Sequence, residues 1–385
     1  MIVKLNKLYL YALVFIAFIS AILPVNVNIF NANIGLEILF ACICILYFIK
    51  FKSKFNWIQC AIIFYLIYYY FISISIKNQT LEDTIYPTKF LFYFILFYFI
   101  KNFEKQFISM RHLEKFGNIV IYIFLFKYLA SSVTDYSVRP TLFIENNFEL
   151  LMPLIISAGI WGFRGFVKLH EIIFLFIIIY LSKSLSSTLE FLALFVFSVN
   201  KIQLYGDRFL ELKKNHLVRI ILYLIPISIL LLVLAQRSIS VSSFENIDRY
   251  RFFMVFLNEA YSWHWTNWIF GTPPITPLSS SACSELSFYS GLFSKREGSC
   301  FSVILHSMNL RIVYDHGILG FLLTYLLLWN LLKNSFFKNV FHSIFAILLI
   351  NGLSVSSLNS IYFAIPLSIL LLSVREIPKK DKSRL

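Results

Sequence analysis

The sequence predicts an all-α, polytopic integral membrane protein of about twelve helices (10–12), with one large loop on the outer side of the bilayer. Three observations predict it. The 385 residues are 59% hydrophobic and only 14% charged, with a mean hydropathy of +0.75, and a soluble chain of this length could not cover its surface with so few polar groups. Apolar runs of roughly the 17–25 residues that span a bilayer recur from end to end. Lys and Arg fall in alternate loops between those runs, which is the positive-inside pattern.

Taken in order, the predicted spans are 8–24, 34–50, 57–76, 88–101, 118–134, 147–163, 169–182, 186–200, 217–235, 312–332, 339–351 and 358–374. The first follows Lys4 and Lys7 and has no small-residue cleavage site before a polar body, so a retained helix is expected in place of a removed signal. The runs 88–101, 169–182 and 186–200 are short, which leaves ten or eleven crossings open if one short pair is re-entrant. The basic loops carry Lys4/Lys7, Lys50/Lys52/Lys54, Lys101 to Lys115, Arg164/Lys168, Lys201 to Arg219, Lys333/Lys338 and Arg375 to Arg384, together 23 of the 34 basic residues. Both ends then face the cytoplasm, which requires an even number of crossings. The net charge of +14 is accounted for by topology and does not point to nucleic acid. No internal repeat and no low-complexity linker divides the chain, so residues 1–385 are expected to form a single membrane domain.

Most loops are short; the exception is 236–311, on the outer side by the charge rule. A loop of that length in a compact domain is usually functional or carries its own structure. It holds Trp263, Trp265 and Trp268, and its start, 244–261, reads as an amphipathic helix suited to lying on the membrane surface. Cys42, Cys44 and Cys60 fall inside spans, where a thiol serves as a small hydrophobe. Cys283 and Cys300 both lie in the outer loop, where an oxidising compartment permits a disulfide; two free thiols are the other reading.

The chain has no P-loop, no Gly-rich dinucleotide turn, no zinc-type Cys/His spacing, no HExxH and no Asp-x-Asp; neither a metal nor a cofactor is expected. The chemistry-bearing residues gather instead at outer ends. In V-R-P-T-L-F-I-E-N-N-F-E, Arg139 precedes Pro140, which favours an extended or turned backbone. Asn146 or Asn147 can cap the helix that follows, with Glu145 and Glu149 at its positive end. This cluster reads either as a capped helix with a snorkelling arginine or as an anion-binding arginine beside hydrogen-bonding amides. Arg249 and Arg251 lie two apart, so a helix points them in different directions, one to a cavity and one to a headgroup. His306 and Asn309 are three apart and share a face if both are helical, with Arg311 off that face. His306 is either structural or a proton shuttle. Asp315 and His316 head the next span, and Gly317 and Gly320 suit close helix packing. Lys127 lies inside a span, where a charge faces a cavity or snorkels; Glu37 and Glu190 are weaker cases of the same kind. Lys183 sits in the Ser-rich outer turn Y-L-S-K-S-L-S-S-T.

In their order and spacing these residues resemble the O-antigen polymerase and ligase superfamily. The resemblance covers roughly 118–335 and rests on R-P-x-L-F-x-x-N-N (Arg139 to Asn147), the Ser-rich turn at 182–197, Arg249 four residues before Phe253, W-I-F-G (Trp268 to Gly271), and H-x-x-N followed by D/E-x-G-I-x-G (His306, Asn309, Asp315, Gly317, Gly320). The superfamily's Ser-Arg at the short-span turn is missing here; Ser186-Ser187 stands in its place, and Lys183, Lys127 and Arg251 compete for the role of third cation.

The resemblance implies a GT-C-like architecture in the bacterial inner membrane, with the active site facing the periplasm. It implies a polymerase that transfers a growing O-antigen or capsule glycan from undecaprenyl diphosphate to the next lipid-linked repeat unit, without nucleotide or metal. Arg139 and Arg249 would hold the lipid diphosphate, and His306 would act near the reacting sugar, with Glu145 as substitute base. Expected partners are the undecaprenyl-diphosphate-linked oligosaccharides and the bilayer, with a chain-length regulator as a further candidate. The same motifs serve ligases that deliver glycan to lipid A-core. A non-catalytic flippase is the alternative from another class, but it calls for internal repeats and charges through the membrane depth.

Overall fold

A computed structural model describes residues 2–22, 32–51, 55–102, 108–134, 140–143, 146–199, 201–205, 208–211, 248–294 and 298–373. The protein is overwhelmingly helical. Its long and medium helices are α1 (Ile2–Ile22), α2 (Ala32–Phe51), α3 (Trp57–Tyr70, continued as a π-helix over Phe71–Ile76), α4 (Leu81–Lys101) and α5 (Met110–Thr134). After the short α6 (Asn146–Glu149) come α7 (Leu151–Arg164), α8 (Leu169–Ser182) and α9 (Leu185–Ser198). The long loop carries α10 (Asp248–Tyr261), α11 (Trp265–Phe270) and α12 (Ser280–Glu285), and the chain continues through α13 (Met308–Lys333), α14 (Lys338–Ser354) and α15 (Ile361–Ser373).

Among the described residues four helices are long and apolar enough to cross a membrane: Ala32–Ile49, Trp57–Ile76, Met110–Thr134 and Met308–Lys333. Five more apolar helices are shorter, among them α8, α9, α14 and α15. Eleven of the twelve predicted spans fall on helices; the run 217–235 lies outside the described residues. The helix α4 begins seven residues before the predicted 88–101. Glu82, Asp83, Pro87 and Lys89 lower the hydropathy there, while Thr80 supplies an N-cap by accepting from the Asp83 N–H at 3.1 Å. Similarly, Asn56 and Gln59 close a reciprocal capping box at the start of α3, at 2.9 and 3.0 Å.

The core is built around α7 and α15, every described residue of which is buried from Leu151 to Trp161 and from Ile361 to Ser373. They cross where Gly159 faces Leu370, with no room for a Cβ between them. The helices α2, α4, α5, α9 and α14 pack around this pair. Outward faces such as Leu319, Leu322, Leu323 and Leu326 on α13 remain exposed and apolar, as a lipid-facing stripe requires.

Two features depart from the sequence expectation. The all-α reading missed a small sheet in which Val167–Lys168 pairs in parallel with Lys201–Tyr205, itself antiparallel to Arg208–Glu211. It joins two short basic loops whose alternating residues carry no strand signal above their length. The helix α10 forms as expected, but Phe252, Val255, Phe256 and Ala260 are buried against the loop's own core with Leu278, Leu286, Ile304 and Leu305. One apolar face therefore covers a lobe, while Tyr250, Phe253, Leu257 and Tyr261 remain exposed along another.

That lobe is closed by a disulfide between Cys283 and Cys300, with Cα atoms 5.6 Å apart. Cys300 is fully buried in the lobe core. Closing a loop of this length restricts the unfolded lobe by about 3 kcal/mol. Cys300→Ser is expected to make the lobe the first site of limited proteolysis while the membrane helices stay protected; equal protease resistance of variant and parent would contradict this.

Candidate functional site

The C-terminal end of α14 gathers segments far apart in sequence. Asn351 donates from Nδ2 to the Asn147 carbonyl (3.2 Å) and to Glu190 Oε1 (2.7 Å). Asn147 Oδ1 in turn accepts from the Ser184 hydroxyl at 2.7 Å, and Ser184 caps α9 by accepting from the Ser187 N–H. One turn further along α14, Ser354 accepts from Arg249 Nε at 3.2 Å. The Asn-Asn segment, the Ser-rich turn and the start of α10 thus meet at one helix end.

His306 stands beside them. The expectation that it shares a helical face with Asn309 is wrong: it lies outside α13, at φ +52° between a short 3-10 turn and the Ser307 N-cap. A non-glycine residue in that region is uncommon and is held there by its surroundings. The ring packs against Tyr289 (4.5 Å between centroids) and Phe252 (5.5 Å). Phe252 is one turn from Arg249 on α10, so a single turn of this helix meets both Ser354 and the His306 ring. Asn309 is instead buried, accepting from the Tyr325 hydroxyl at 2.6 Å and packing beside Gly352. It ties α13 to α14.

The remaining candidates separate. Arg251 and Arg249 diverge, as their spacing requires: the Arg251 guanidinium lies 5.8 Å from the Phe288 ring centroid, while Arg249 reaches Ser354. Lys127 is buried and donates to the Ala21 carbonyl at 3.3 Å, within electrostatic reach of Glu149. Lys183 caps α8 at φ +52°, next to Ser184. Glu149 is fully buried and accepts from the Leu142 and Phe143 N–H groups (2.6 and 2.7 Å) and from the Tyr128 hydroxyl (2.9 Å). It folds the approach to α6 and does not face a helix N-terminus. Arg139, Glu145 and the Asn146 side chain lie outside the described residues.

Sequence reasoning passed over a buried arginine at the centre of this region. Arg311 is 4% exposed; its Nη1 donates to Ser356 Oγ (2.6 Å) and its Nη2 to the Tyr86 carbonyl (3.1 Å). Ser356 passes the contact on, donating to the His306 carbonyl at 2.8 Å. Tyr86 is free to accept because Asn359 is inserted into the α4 ladder: its Nδ2 donates to Tyr86 O (2.9 Å) and its Oδ1 accepts from Phe90 N (2.8 Å). The adjacent Pro87 already lacks one ladder donor, and a side chain enters the opening. The predicted span began at 312, one residue too late to mark Arg311 as a charge within a span.

Two of the quoted motifs meet in space. The helix α13 breaks at Gly317 (φ +67°, ψ −175°), where the Tyr314 carbonyl accepts from Thr272 N (2.8 Å) and Thr272 Oγ1 (3.1 Å). Gly271, ending W-I-F-G, lies against the 315–317 backbone. Gly317 therefore serves both a helix break and the expected close packing, here against the end of α11 at Ile269 and Gly271. The break holds Asp315, which accepts from Ser302 Oγ at 2.7 Å, and His316, whose Nδ1 is 2.6 Å from the Tyr65 hydroxyl. Lys77 donates to Ile275 O and Thr276 Oγ1 (both 3.3 Å), and partial burial pushes its ammonium pKa down.

Among the described residues no group of three His, Cys, Asp or Glu side chains could hold a metal ion. The chemistry on offer is anion binding by guanidinium groups beside a half-buried imidazole. The chain matches no family model, no curated protein and no solved structure.

Proposed function

We propose that the chain is a membrane glycosyltransferase that polymerises lipid-linked glycan repeat units for a surface polysaccharide. In this reading twelve spans set both ends in the cytoplasm of a bacterium, and the site faces outward from the inner membrane. One observation carries the reading: the turn of α10 that reaches Ser354 at the end of α14 through Arg249 also packs Phe252 against His306, some 57 positions away. Asn147 and the Ser-rich turn reach the same end of α14 through Asn351.

The reaction needs little else. The acceptor hydroxyl attacks the anomeric carbon of the donor sugar, and the bond from that carbon to the diphosphate oxygen breaks. The departing undecaprenyl diphosphate takes the electron pair, and the hydroxyl proton passes to a base. Arginine forks suit the growing phosphate charge because they donate two parallel hydrogen bonds, and preorganised donors in a low-dielectric site act strongly. In this scheme Arg249 and Arg139 hold the diphosphate, and His306 accepts the proton with Glu145 as the substitute. The buried Arg311 adds positive potential behind His306 through Ser356.

Purified protein given a lipid-linked repeat unit, without nucleotide or metal, is expected to yield a ladder of longer lipid-linked glycans. Arg249→Ala and Arg139→Ala are each expected to lower the rate by about 10²–10³ with folding intact. Transfer to lipid A-core in place of a ladder would make the protein a ligase, and near-normal rates in both variants would remove these arginines from the site.

A further inference from the structure

We propose that a second cleft on the outer side, between the starts of α2, α4 and α15, is a subsite for one neutral sugar ring of a glycan. Its biological role rests on the glycan-transfer reading above; its ligand chemistry does not. The cleft has a volume of about 190 Å³ and is lined by Asn33 and Glu37 of α2, Lys89 of α4, Phe148 of α6, and Asn359 and Tyr362 before and within α15. An apolar cavity of about 150 Å³ takes benzene, so this cleft has room for one six-membered ring with its hydroxyls and not for two.

The lining selects among ligands. Glu37 and Lys89 form an ion pair, so the wall carries no net charge. A phosphate or carboxylate would therefore meet a carboxylate with its cation already taken. A lipid tail would strip water from the pair with nothing in return. A polyol suits it. The pair uses only Oε1 of Glu37, and the Glu37 side chain is 41% exposed, so its second oxygen is reachable as an acceptor. Lys89 retains N–H donors beyond the one it gives to Glu37. The Tyr362 hydroxyl occupies Asn33 Oδ1, leaving the Asn33 amide N–H groups as donors. Adjacent hydroxyls of a pyranose donate and accept at once, and its C–H face packs on an aromatic ring, here the half-buried Phe148.

The cleft is also connected to the arginine site. Asn359 forms part of its wall, and the Tyr86 carbonyl that Asn359 binds is the one Arg311 binds. A sugar held here would press on the same opened turn of α4 that fixes Arg311.

The test uses the full chain in phosphatidylcholine nanodiscs and saturation-transfer NMR with methyl glycosides of neutral hexoses and N-acetylhexosamines. Methyl glucuronide and inorganic phosphate serve as charged comparisons. At least one neutral glycoside is expected to bind in preference to both charged probes. Asn33→Ala and Glu37→Gln should each weaken it by about tenfold, the loss of one hydrogen bond to a polar or charged group. Glu37→Gln should in addition shift preference toward the glucuronide, because Lys89 is then unpaired. If Glu37→Gln does not fold, Asn33→Ala carries the test, with circular dichroism as the folding control. Failure of every neutral glycoside to bind, preference for a charged probe, or binding that survives both substitutions overturns the subsite. A chain that binds sugar here yet makes no ladder sinks the polymerase reading alone, and a chain that makes a ladder without this binding sinks only the subsite.

Discussion

Arg311→Ala is expected to destabilise the protein by about 3–5 kcal/mol, the cost of removing one partner from a buried charged network. The guanidinium is the common member of three elements: it holds α13 to Ser356 before α15 and to the opened turn of α4 at Tyr86. Asp315 lies one turn further along α13, and its buried charge is balanced by Arg311 and by the Ser302 hydroxyl. Without Arg311 the carboxylate keeps one hydroxyl donor and loses its cation, while the Tyr86 carbonyl keeps only Asn359. The loss should appear as a lowered thermal unfolding midpoint in detergent, with the outer lobe loosening first. Arg311→Ala/Asp315→Asn should recover part of it, because the unpaired charge is then gone. Equal midpoints for Arg311→Ala and the parent would mean that water reaches this arginine and that it organises nothing.

Such a network explains which parts of the protein were legible from sequence. The apolar runs were legible because a bilayer imposes length and composition locally, and eleven of them coincide with helices even where α4 was read too short. The disposition of Arg249 and Arg251 was legible too, since a two-residue offset on any helix separates side chains. What the sequence hid depends on partners 50 to 330 positions away. Asn359 within the α4 ladder, Lys89 against Glu37, and Tyr362 against Asn33 leave no local trace. His306 was misplaced for a related reason: helical spacing to Asn309 is visible in sequence, but the left-handed turn that ends the spacing is fixed by Tyr289 and Phe252. The motif glycines were visible as glycines, while their actual task depends on a loop 46 positions earlier.

That task sets the second large expected effect. Gly317→Ala is expected to cost about 2–6 kcal/mol, combining a backbone region that is almost exclusive to glycine with an overpacked contact. Its φ of +67° with ψ near 180° disfavours any Cβ, and the added carbon would lie 2.2 Å from the Ile269 carbonyl oxygen. Gly271→Ala should cost a similar amount, since Gly271 is at φ +81° and its Cβ would lie 2.4 Å from the His316 nitrogen. Both substitutions push apart the same two backbones and release the Thr272 cap on Tyr314. Once one has opened the contact, the other has less left to break. The double variant should therefore lose less than the sum of the singles, by about 0.5–3 kcal/mol, a coupling typical of residues in direct contact. Unfolding midpoints of the four proteins measure it. Strict additivity would show that the two glycines answer to separate strains, and that the loop does not hold the helix break that positions Asp315 and His316.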